Sequence, residues 1–376
     1  MPSGFEALDQ LDLLPLADAV PQRPLSGWSF WLERQLLFAV PEPMGSAHPC
    51  TLVESEALLQ HWAEQLRQLP SAQLHLGRSV AGLITADGGS RDGRITGVRL
   101  SDGQRLQADL VVACDGRGSL LRRSAGLELA GTSPTIDVLW FRLGGSAGQA
   151  LADALAGRFH TVIGDEGSLA LFASASGGVQ LGWPLQGGER IDRSSRQWRE
   201  LWLRLCPKAL ATALGSVPVD AIDGPLRLPL RVGLARRWWR PGLLLLGDAA
   251  HPMSPIRAQG TSMALRDVVA AAALLPPALE LAAGPDRDSG LDQALLAIEA
   301  RRRPEITRIQ ALQQQEWERG LRLGHTPALR RLLATLAPGL APLLGAVWQR
   351  SQWPLRQGLA GALPLAAMMG PASAAR

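Results

Sequence analysis

Residues 115–122 place an acidic side chain, two glycines and two arginines directly after a short apolar run. A carboxylate such as Asp115 at the end of a parallel strand can bind ligand hydroxyls, because open α/β sheets bind ligands outside their strand ends. Gly116 lets a ligand approach the backbone closely, and Arg122 offers a charge to a phosphate group. The same pattern fits an ordinary strand-to-helix turn in which Asp115 caps the helix, so this segment alone leaves both interpretations open.

A second segment of this kind begins at Gly247 and Asp248, after an apolar run over residues 243–246. The Asp248 carboxylate could accept hydrogen bonds from sugar-type hydroxyls, and the small side chain of Ala249 leaves room for a ring system. A helix predicted to begin near Gly260 would present free N–H groups and the positive end of its dipole to an anionic oxygen, such as that of a reduced flavin. The alternative is another capped strand-to-helix junction.

No catalytic acid, base or metal ligand is identified around these two segments. His251 follows the second one, but a single histidine is more often structural than catalytic, and we assign it no proton transfer. The three cysteines, Cys50, Cys114 and Cys206, show neither a C-x-x-C pattern nor Cys/His ligand spacing. This argues against a metal site or a disulfide framework and indicates a reducing cytoplasm.

Each motif requires a buried strand before it and a helix after it, and the sequence predicts both. The apolar runs at Val111–Ala113 and before Gly247 predict strands buried on both faces of a parallel sheet. Alternation around an Asp-Gly turn predicts a hairpin over residues 95–109, and 3-4 spacing predicts an amphipathic helix over residues 51–69. Further predictions are a Gly-marked turn at Asp87–Gly93, strand-like runs over about 132–185, a helix over 194–214, a return strand over 225–232, a long helix over about 290–322 and a tail of short helices.

Composition excludes several classes of protein. The formal charge of +4 over 376 residues is small, so the pI of 9.7 reflects an arginine excess and not a nucleic-acid surface. The sequence has no signal pattern at its start and no run of about 18 uninterrupted apolar residues that would predict a membrane span. Residues 353–370 come nearest, where a packed C-terminal helix is favoured over a peripheral membrane contact.

The two motifs lie about 130 residues apart and in a fixed order along the chain. In this combination the chain resembles the FAD-dependent aromatic hydroxylases, the flavoprotein monooxygenases that include para-hydroxybenzoate hydroxylase and the ubiquinone-biosynthesis hydroxylases. The arginine-rich segment over residues 299–306 and the helical end of the chain also resemble that family. The resemblance covers nearly the whole sequence.

The resemblance implies FAD as cofactor and NADPH or NADH as reductant. It assigns Asp248 to the flavin ribityl chain, the backbone around Gln259–Ser262 to the flavin ring, and Asp115 with Arg122 to the pyrophosphate and to nicotinamide access. Arg257 and Ala258 stand where many relatives have glycine, and Ser262 replaces a frequent asparagine. The expected cofactor-binding residues are Asp115, Gly116, Arg122, Gly247, Asp248, Ala249, Pro255, Gln259, Gly260, Thr261 and Ser262.

The implied fold is a mixed α/β fold with an incomplete Rossmann-like FAD/NAD(P)-binding domain over residues 1–131 and 233–322. An inserted β-sheet substrate domain would span residues 132–232 and a helical tail residues 323–376. The sequence lacks the G-x-G-x-x-G fingerprint with which the family begins. We therefore expect that the natural protein extends upstream, and that the strand ending at Asp115 has an exposed edge that invites association.

The implied activity is hydroxylation of a small aromatic or quinone-like substrate with NAD(P)H and dioxygen. The alternatives are another FAD-dependent reaction, such as prenyl-chain reduction or halogenation, and a shortened non-catalytic relative. The pattern gives no indication of the oligomeric state, and the expected location is cytoplasmic or membrane-peripheral. Candidate pocket residues in the substrate sheet are Trp140, Phe141, Arg142, Phe172 and Trp183, of which strand alternation makes about half plain core.

Overall fold

The computed structural model describes residues 1–16, 18–86, 93–131 and 136–358. Most of the predicted Asp87–Gly93 turn and of the 353–370 segment lies outside them. The helices are α1 Pro2–Gln10, α2 Ser55–Arg67, α3 Leu120–Ser124, α4 Gln149–Ala154, α5 Ser195–Leu205, α6 Lys208–Gly215, α7 Gly260–Leu274, α8 Pro276–Leu279, α9 Pro285–His325 and α10 Pro327–Gln357. The strands are β1 Gln22–Pro24, β2 Gly27–Leu32, β3 Gln35–Pro41, β4 Thr51–Val53, β5 Val80–Thr85, β6 Ile95–Leu100, β7 Arg105–Gln107, β8 Val111–Ala113, β9 Leu129–Ala130, β10 Ile136–Leu143, β11 Arg158–Gly164, β12 Gly167–Ala173, β13 Val179–Gln186, β14 Ile222–Leu230, β15 Leu234–Ala235, β16 Trp239–Arg240 and β17 Leu243–Leu245.

The largest sheet in the described part of the chain has seven strands in the order β14-β10-β13-β12-β11-β2-β3. Its strands alternate large apolar residues with others, so that one face closes a core under α5 and α6 around Trp198 and Trp202. Strand β2 pairs in parallel with β11, and β3 pairs antiparallel with β2. The sheet therefore extends beyond the expected substrate range of 132–232, because residues 27–41 complete it.

The motif-bearing strands form a small sheet in the order β16-β17-β8, in which β17 and β8 are parallel. All three residues of β17 are fully buried, as predicted. The prediction that β8 is buried on both faces is wrong for Val112, which is 42% exposed. Strand β8 lies at the edge of this sheet among the described residues. The described residues also cover the face that carries Val112 only in part.

Two helical predictions differ from the structure. The predicted 194–214 helix is two helices, because Pro207 interrupts the backbone between α5 and α6. The predicted tail of short helices is instead the single helix α10, which continues through Pro338 and Pro342 and packs along β3. By length and composition α10 is also the one described helix that could cross a membrane.

Helix α2 confirms the helix predicted over residues 51–69 only from Ser55 to Arg67, because Thr51–Val53 form strand β4, and none of its residues is buried. Its leucines Leu59 and Leu66 are exposed, so the apolar face expected of an amphipathic helix is not covered by the described residues. The hairpin predicted over residues 95–109 is present as β6 and β7, and the adjacent strand β5 extends it to three strands.

Candidate functional site

The two motifs meet at one edge of the small sheet. The register of β8 and β17 places Ala113 opposite Leu245, so Asp115 and Asp248 follow neighbouring parallel strand ends. Arg117 spans the two motifs, with its Nη2 atom 3.3 Å from Oδ2 of Asp248. The fold therefore brings the two motif segments together at one end of the paired strands.

Asp115 and Ser119 both cap the short helix α3. The Leu121 N–H donates to Oδ2 of Asp115 at 3.1 Å, and the Arg122 N–H donates to Oγ of Ser119 at 2.9 Å. Gly116 has a φ of 77°, and no heavy atom lies within 4 Å of the place where a Cβ would stand. The capping interpretation thus holds for Asp115, while the open space beside Gly116 leaves a ligand access to the backbone.

Arg122 is buried, and its side chain connects the two motifs through hydrogen bonds. Its guanidinium donates to the carbonyl oxygen of Ala249 at 2.8 Å and to that of Arg117 at 3.1 Å. The sequence indicated only that Arg122 carries a positive charge. In the structure, its hydrogen bonds fix the position of one motif loop relative to the other. The predicted contact of Arg122 with a phosphate remains a prediction.

Asp248 keeps a partly exposed carboxylate beside the N-terminus of α7. Gly247 begins a 3-10 turn with a φ of 58°, and a Cβ on Gly260 would lie 3.8 Å from Oδ1 of Asp248. Helix α7 has no side-chain cap at Gln259, so its first N–H groups are not capped by that side chain. A hydrogen-bond acceptor and a set of backbone donors therefore lie next to each other.

The other predicted residues of the second motif divide between surface and interior. Pro255 and Thr261 are exposed, whereas Gln259 and Ser262 are buried. Gln259 donates from Nε2 to the carbonyl oxygens of Leu355 and Arg257, but its buried Oε1 has no partner. Ser262 packs closely against α1, where a Cβ on Gly4 would come within 2.7 Å of its Oγ.

A buried chain of ionic side chains supports the second motif, and no sequence pattern indicated it. Asp267 accepts hydrogen bonds from the Gly247 N–H at 3.0 Å, from Nε2 of His251 at 2.6 Å and from Nε of Arg302 at 2.8 Å. Arg302 also pairs with Glu305. Burial by itself raises the pKa of the Asp267 carboxyl, but the charges and hydrogen bonds of His251 and Arg302 outweigh it and hold that pKa below its usual value. His251 therefore has a structural partner, in line with the absence of an assigned catalytic role.

Arg257 makes contacts that the sequence did not predict. Its side chain is turned toward the large sheet and α10. The guanidinium carbon lies 5.2 Å from the ring centre of Trp28, 5.3 Å from that of Phe30 and 4.9 Å from that of Trp348. Its Nε donates to Glu316 at 2.7 Å. This cation–π contact connects the motif loop to the substrate sheet.

The candidate pocket residues of the large sheet are distributed over its two faces. Phe141 and Trp183 are fully buried in the core under α5, where both contact Trp198. Trp140 and Phe172 are half-buried on the opposite face, with ring centres 5.8 Å apart, and Arg142 is exposed. Alternation along the strands thus makes Phe141 and Trp183 core residues, in agreement with the expectation that about half of the candidates belong to the core.

These residues fit an FAD. The Asp248 carboxylate suits ribityl hydroxyls, the uncapped start of α7 suits the anionic oxygen of a reduced flavin, and the space beside Gly116 admits a bulky group. Among the described residues no cluster of His, Cys, Asp or Glu could hold a metal ion.

Comparison with known proteins agrees with this geometry. The family described as FAD binding domain matches residues 34–308. The 6-methylpretetramide 4-monooxygenase of Streptomyces rimosus is 32% identical over 301 residues, which are 78% of this chain and 67% of that protein. The ubiquinone hydroxylase UbiL of Rhodospirillum rubrum is 30% identical over 276 residues, which are 68% of this chain and 55% of that protein. The chain thus spans between half and two thirds of the length of these relatives.

Among solved structures, the fold is similar to that of PqsL from Pseudomonas aeruginosa, described as a probable FAD-dependent monooxygenase. The TM-score is 0.66 with 21% identity, and the match covers 89% of this chain and 87% of that one. PqsL has also been solved in complex with 2-aminobenzoylacetate. From the family match and these relatives, the chain belongs to the FAD-binding family of flavoprotein monooxygenases of the aromatic-hydroxylase type.

Proposed function

We propose that the protein is an FAD-dependent monooxygenase that hydroxylates a small aromatic or quinone-like molecule with NADPH or NADH and dioxygen. The observation that carries the proposal is the position of Asp248, whose carboxylate lies beside the uncapped N-terminus of α7 and next to the Asp115 loop. In the balanced reaction one oxygen atom of dioxygen enters the substrate, the other leaves as water, and NAD(P)H is oxidised.

When bound, FAD supplies the redox chemistry, and the protein supplies binding and orientation. Asp248 would accept hydrogen bonds from the ribityl hydroxyls, so its contact with Arg117 has to be given up or shared. The first N–H groups of α7 would stabilise negative charge on the flavin ring. Asp115 and the open backbone at Gly116 would serve the pyrophosphate side.

The substrate class is supported by the half-buried face of the large sheet. Trp140 and Phe172 present aromatic surface there, and the stacked ring of Phe159 lies 5.1 Å from that of Phe172. Planar apolar molecules stack on such rings. The names of the relatives, which refer to a pretetramide, a ubiquinone and an aminobenzoyl compound, are consistent with a small aromatic or quinone-like substrate.

The test is a search for oxygen transfer. The FAD-loaded protein is incubated with NADPH or NADH, a panel of phenols, quinones and aromatic acids, and isotopically labelled dioxygen. The proposal predicts that one panel member stimulates NAD(P)H oxidation and acquires one labelled oxygen. Stimulated oxidation with a reduced or halogenated product would instead indicate another flavin reaction, and failure to retain FAD would indicate a non-catalytic relative.

We further propose a cytoplasmic location for this activity. The support is that Cys50, Cys114 and Cys206 are all free thiols, as a reducing compartment would maintain them.

A further inference from the structure

Helix α10 carries an apolar stripe on its outer face. The stripe consists of Leu329, Leu332, Leu336, Leu343 and Val347, all exposed, with Leu332 at 56%, Leu343 at 61% and Val347 at 59%. Their intervals of three, four, seven and four residues place them within roughly 60° of one another on a helix of 3.6 residues per turn. Contiguous exposed apolar surface of this kind marks a site of interaction.

The opposite face of α10 is occupied by the protein itself. Ala334, Ala337 and Gly345 are buried, and a Cβ on Gly345 would lie 3.6 Å from Val40 in β3. The ring of Trp348 packs on Phe30 and Phe38 of the large sheet. Lipid therefore cannot surround α10 while the fold is intact, which excludes a membrane-spanning arrangement and leaves only its outer stripe available.

The charge around the stripe indicates what covers it. Residues 327–376 contain five arginines and no aspartate or glutamate. Of these arginines, Arg331 and Arg350 are exposed on α10, and Arg331 also lies 3.7 Å from the Asp165 carboxylate, with which a lipid phosphate would have to share it. Basic residues beside an apolar helical face are typical of helices that lie on anionic membranes.

We propose that the outer stripe of α10 docks in the plane of an anionic lipid surface. The stripe would enter the interface, Arg331 and Arg350 would contact lipid head groups, and Trp353, 48% exposed near the C-terminal end of the helix, would lie at the polar boundary. A second copy of the chain is a poorer partner, because the arginines beside its stripe would repel Arg331 and Arg350 of the first copy. The proposal does not depend on the chemistry at the flavin motifs.

The experiment is co-sedimentation of the full chain with vesicles of phosphatidylcholine alone and of phosphatidylcholine with an equal amount of phosphatidylglycerol. We expect binding to the anionic vesicles that weakens with added salt, and little binding to the neutral ones. The double variant Leu332→Glu with Leu343→Glu should lower the partition coefficient at least about tenfold. The double variant Arg331→Gln with Arg350→Gln should reduce the salt dependence.

The matched control is Leu296→Glu, a change of the same kind at an exposed position of α9. It should leave vesicle binding unchanged, and circular dichroism should show that every variant is folded. Absence of vesicle binding by the unmodified chain, or equal loss in the control, would overturn the proposal. So would a concentration-dependent dimer in light scattering that the double leucine variant dissociates, because a second copy would then cover the stripe.

Discussion

The backbone before α7 adopts an unusual conformation at two successive side-chain-bearing residues. Arg257 has a φ of 61° and Ala258 a φ of 45°, both in the left-handed region. For an L-residue that region costs about 1–2 kcal/mol, and glycine avoids most of this cost. Glycine, which the family resemblance implies for many relatives at these two positions, would therefore relieve this cost.

We predict that Ala258→Gly leaves stability unchanged or raises it by up to about 1 kcal/mol, because relief of the left-handed strain offsets the added freedom of the unfolded chain. Thermal or urea unfolding measures the change. The control Ala311→Gly, at an exposed position within α9, should instead cost about 1 kcal/mol. Equal destabilisation by both substitutions would show that the loop does not require this backbone conformation.

The buried Asp267 carboxylate supports the second motif through hydrogen bonds from Gly247, His251 and Arg302. Asp267→Asn removes a buried charge that pairs with Arg302 and His251, and we expect a loss of about 3–5 kcal/mol in the free energy of unfolding. Denaturant titration measures this loss. The control Asp153→Asn, at an exposed position of α4, should change stability by less than about 0.5 kcal/mol.

The same carboxylate predicts a direction for the pH dependence. Its pKa is lower in the folded protein than in the unfolded chain, so its stabilising contribution is complete above the unfolded value and is lost as the pH falls through the folded one. The unmodified chain should therefore lose stability below about pH 4, and Asp267→Asn should lose less over that range. Parallel curves for the two proteins would contradict this assignment.

At the scale of the elements, the two motif-bearing strands differ although they pair with each other. Leu244 is fully buried in β17, whereas its register partner Val112 in β8 is partly exposed. Leu244→Ala should cost about 2–5 kcal/mol, because it leaves a cavity between helices. Val112→Ala should cost less than about 1 kcal/mol. Comparable losses in unfolding experiments would mean that the outer face of β8 is covered in solution.

Sequence patterns predicted the elements whose signals are local. The strand-turn-helix junctions at Asp115 and Asp248 and the hairpin of β6 and β7 follow from short apolar runs and Asp-Gly turns. Helices were also predicted near Gly260 and over about 290–322, where α7 and α9 lie. The structure has all of them. Because these signals are local, the sequence alone predicted that the motif residues follow the strand ends, but not which side chains surround them.

Features that depend on distant contacts could not be predicted in this way. Arg122 meets a carbonyl 127 residues away, and Asp267 meets Arg302 from a different helix. A tail of short helices was expected, but α10 is one helix that continues through Pro338 and Pro342 and packs against β3. Likewise, residues 27–41 join a sheet whose other strands begin at Ile136, and only the fold reveals this pairing.

At the scale of the whole molecule, two sheets carry different parts of the candidate site. The small sheet leads into the two motifs, while the large sheet presents Trp140 and Phe172 on one face. Arg257 connects them, since it leaves the motif loop and lies over Trp28 and Trp348. A cofactor and a planar substrate could in this way be held by different elements of one chain.

FAD binding by the purified chain tests the central claim most directly. Fluorescence titration of FAD with the unmodified chain should show saturable binding, and Asp248→Asn should weaken it by about tenfold or more, because a carboxylate that accepts ligand hydrogen bonds is lost. The folded control Asp153→Asn should bind as the unmodified chain does. No saturable binding by the unmodified chain, or equal affinity in the folded Asp248→Asn variant, would contradict the assignment of this strand end to the flavin.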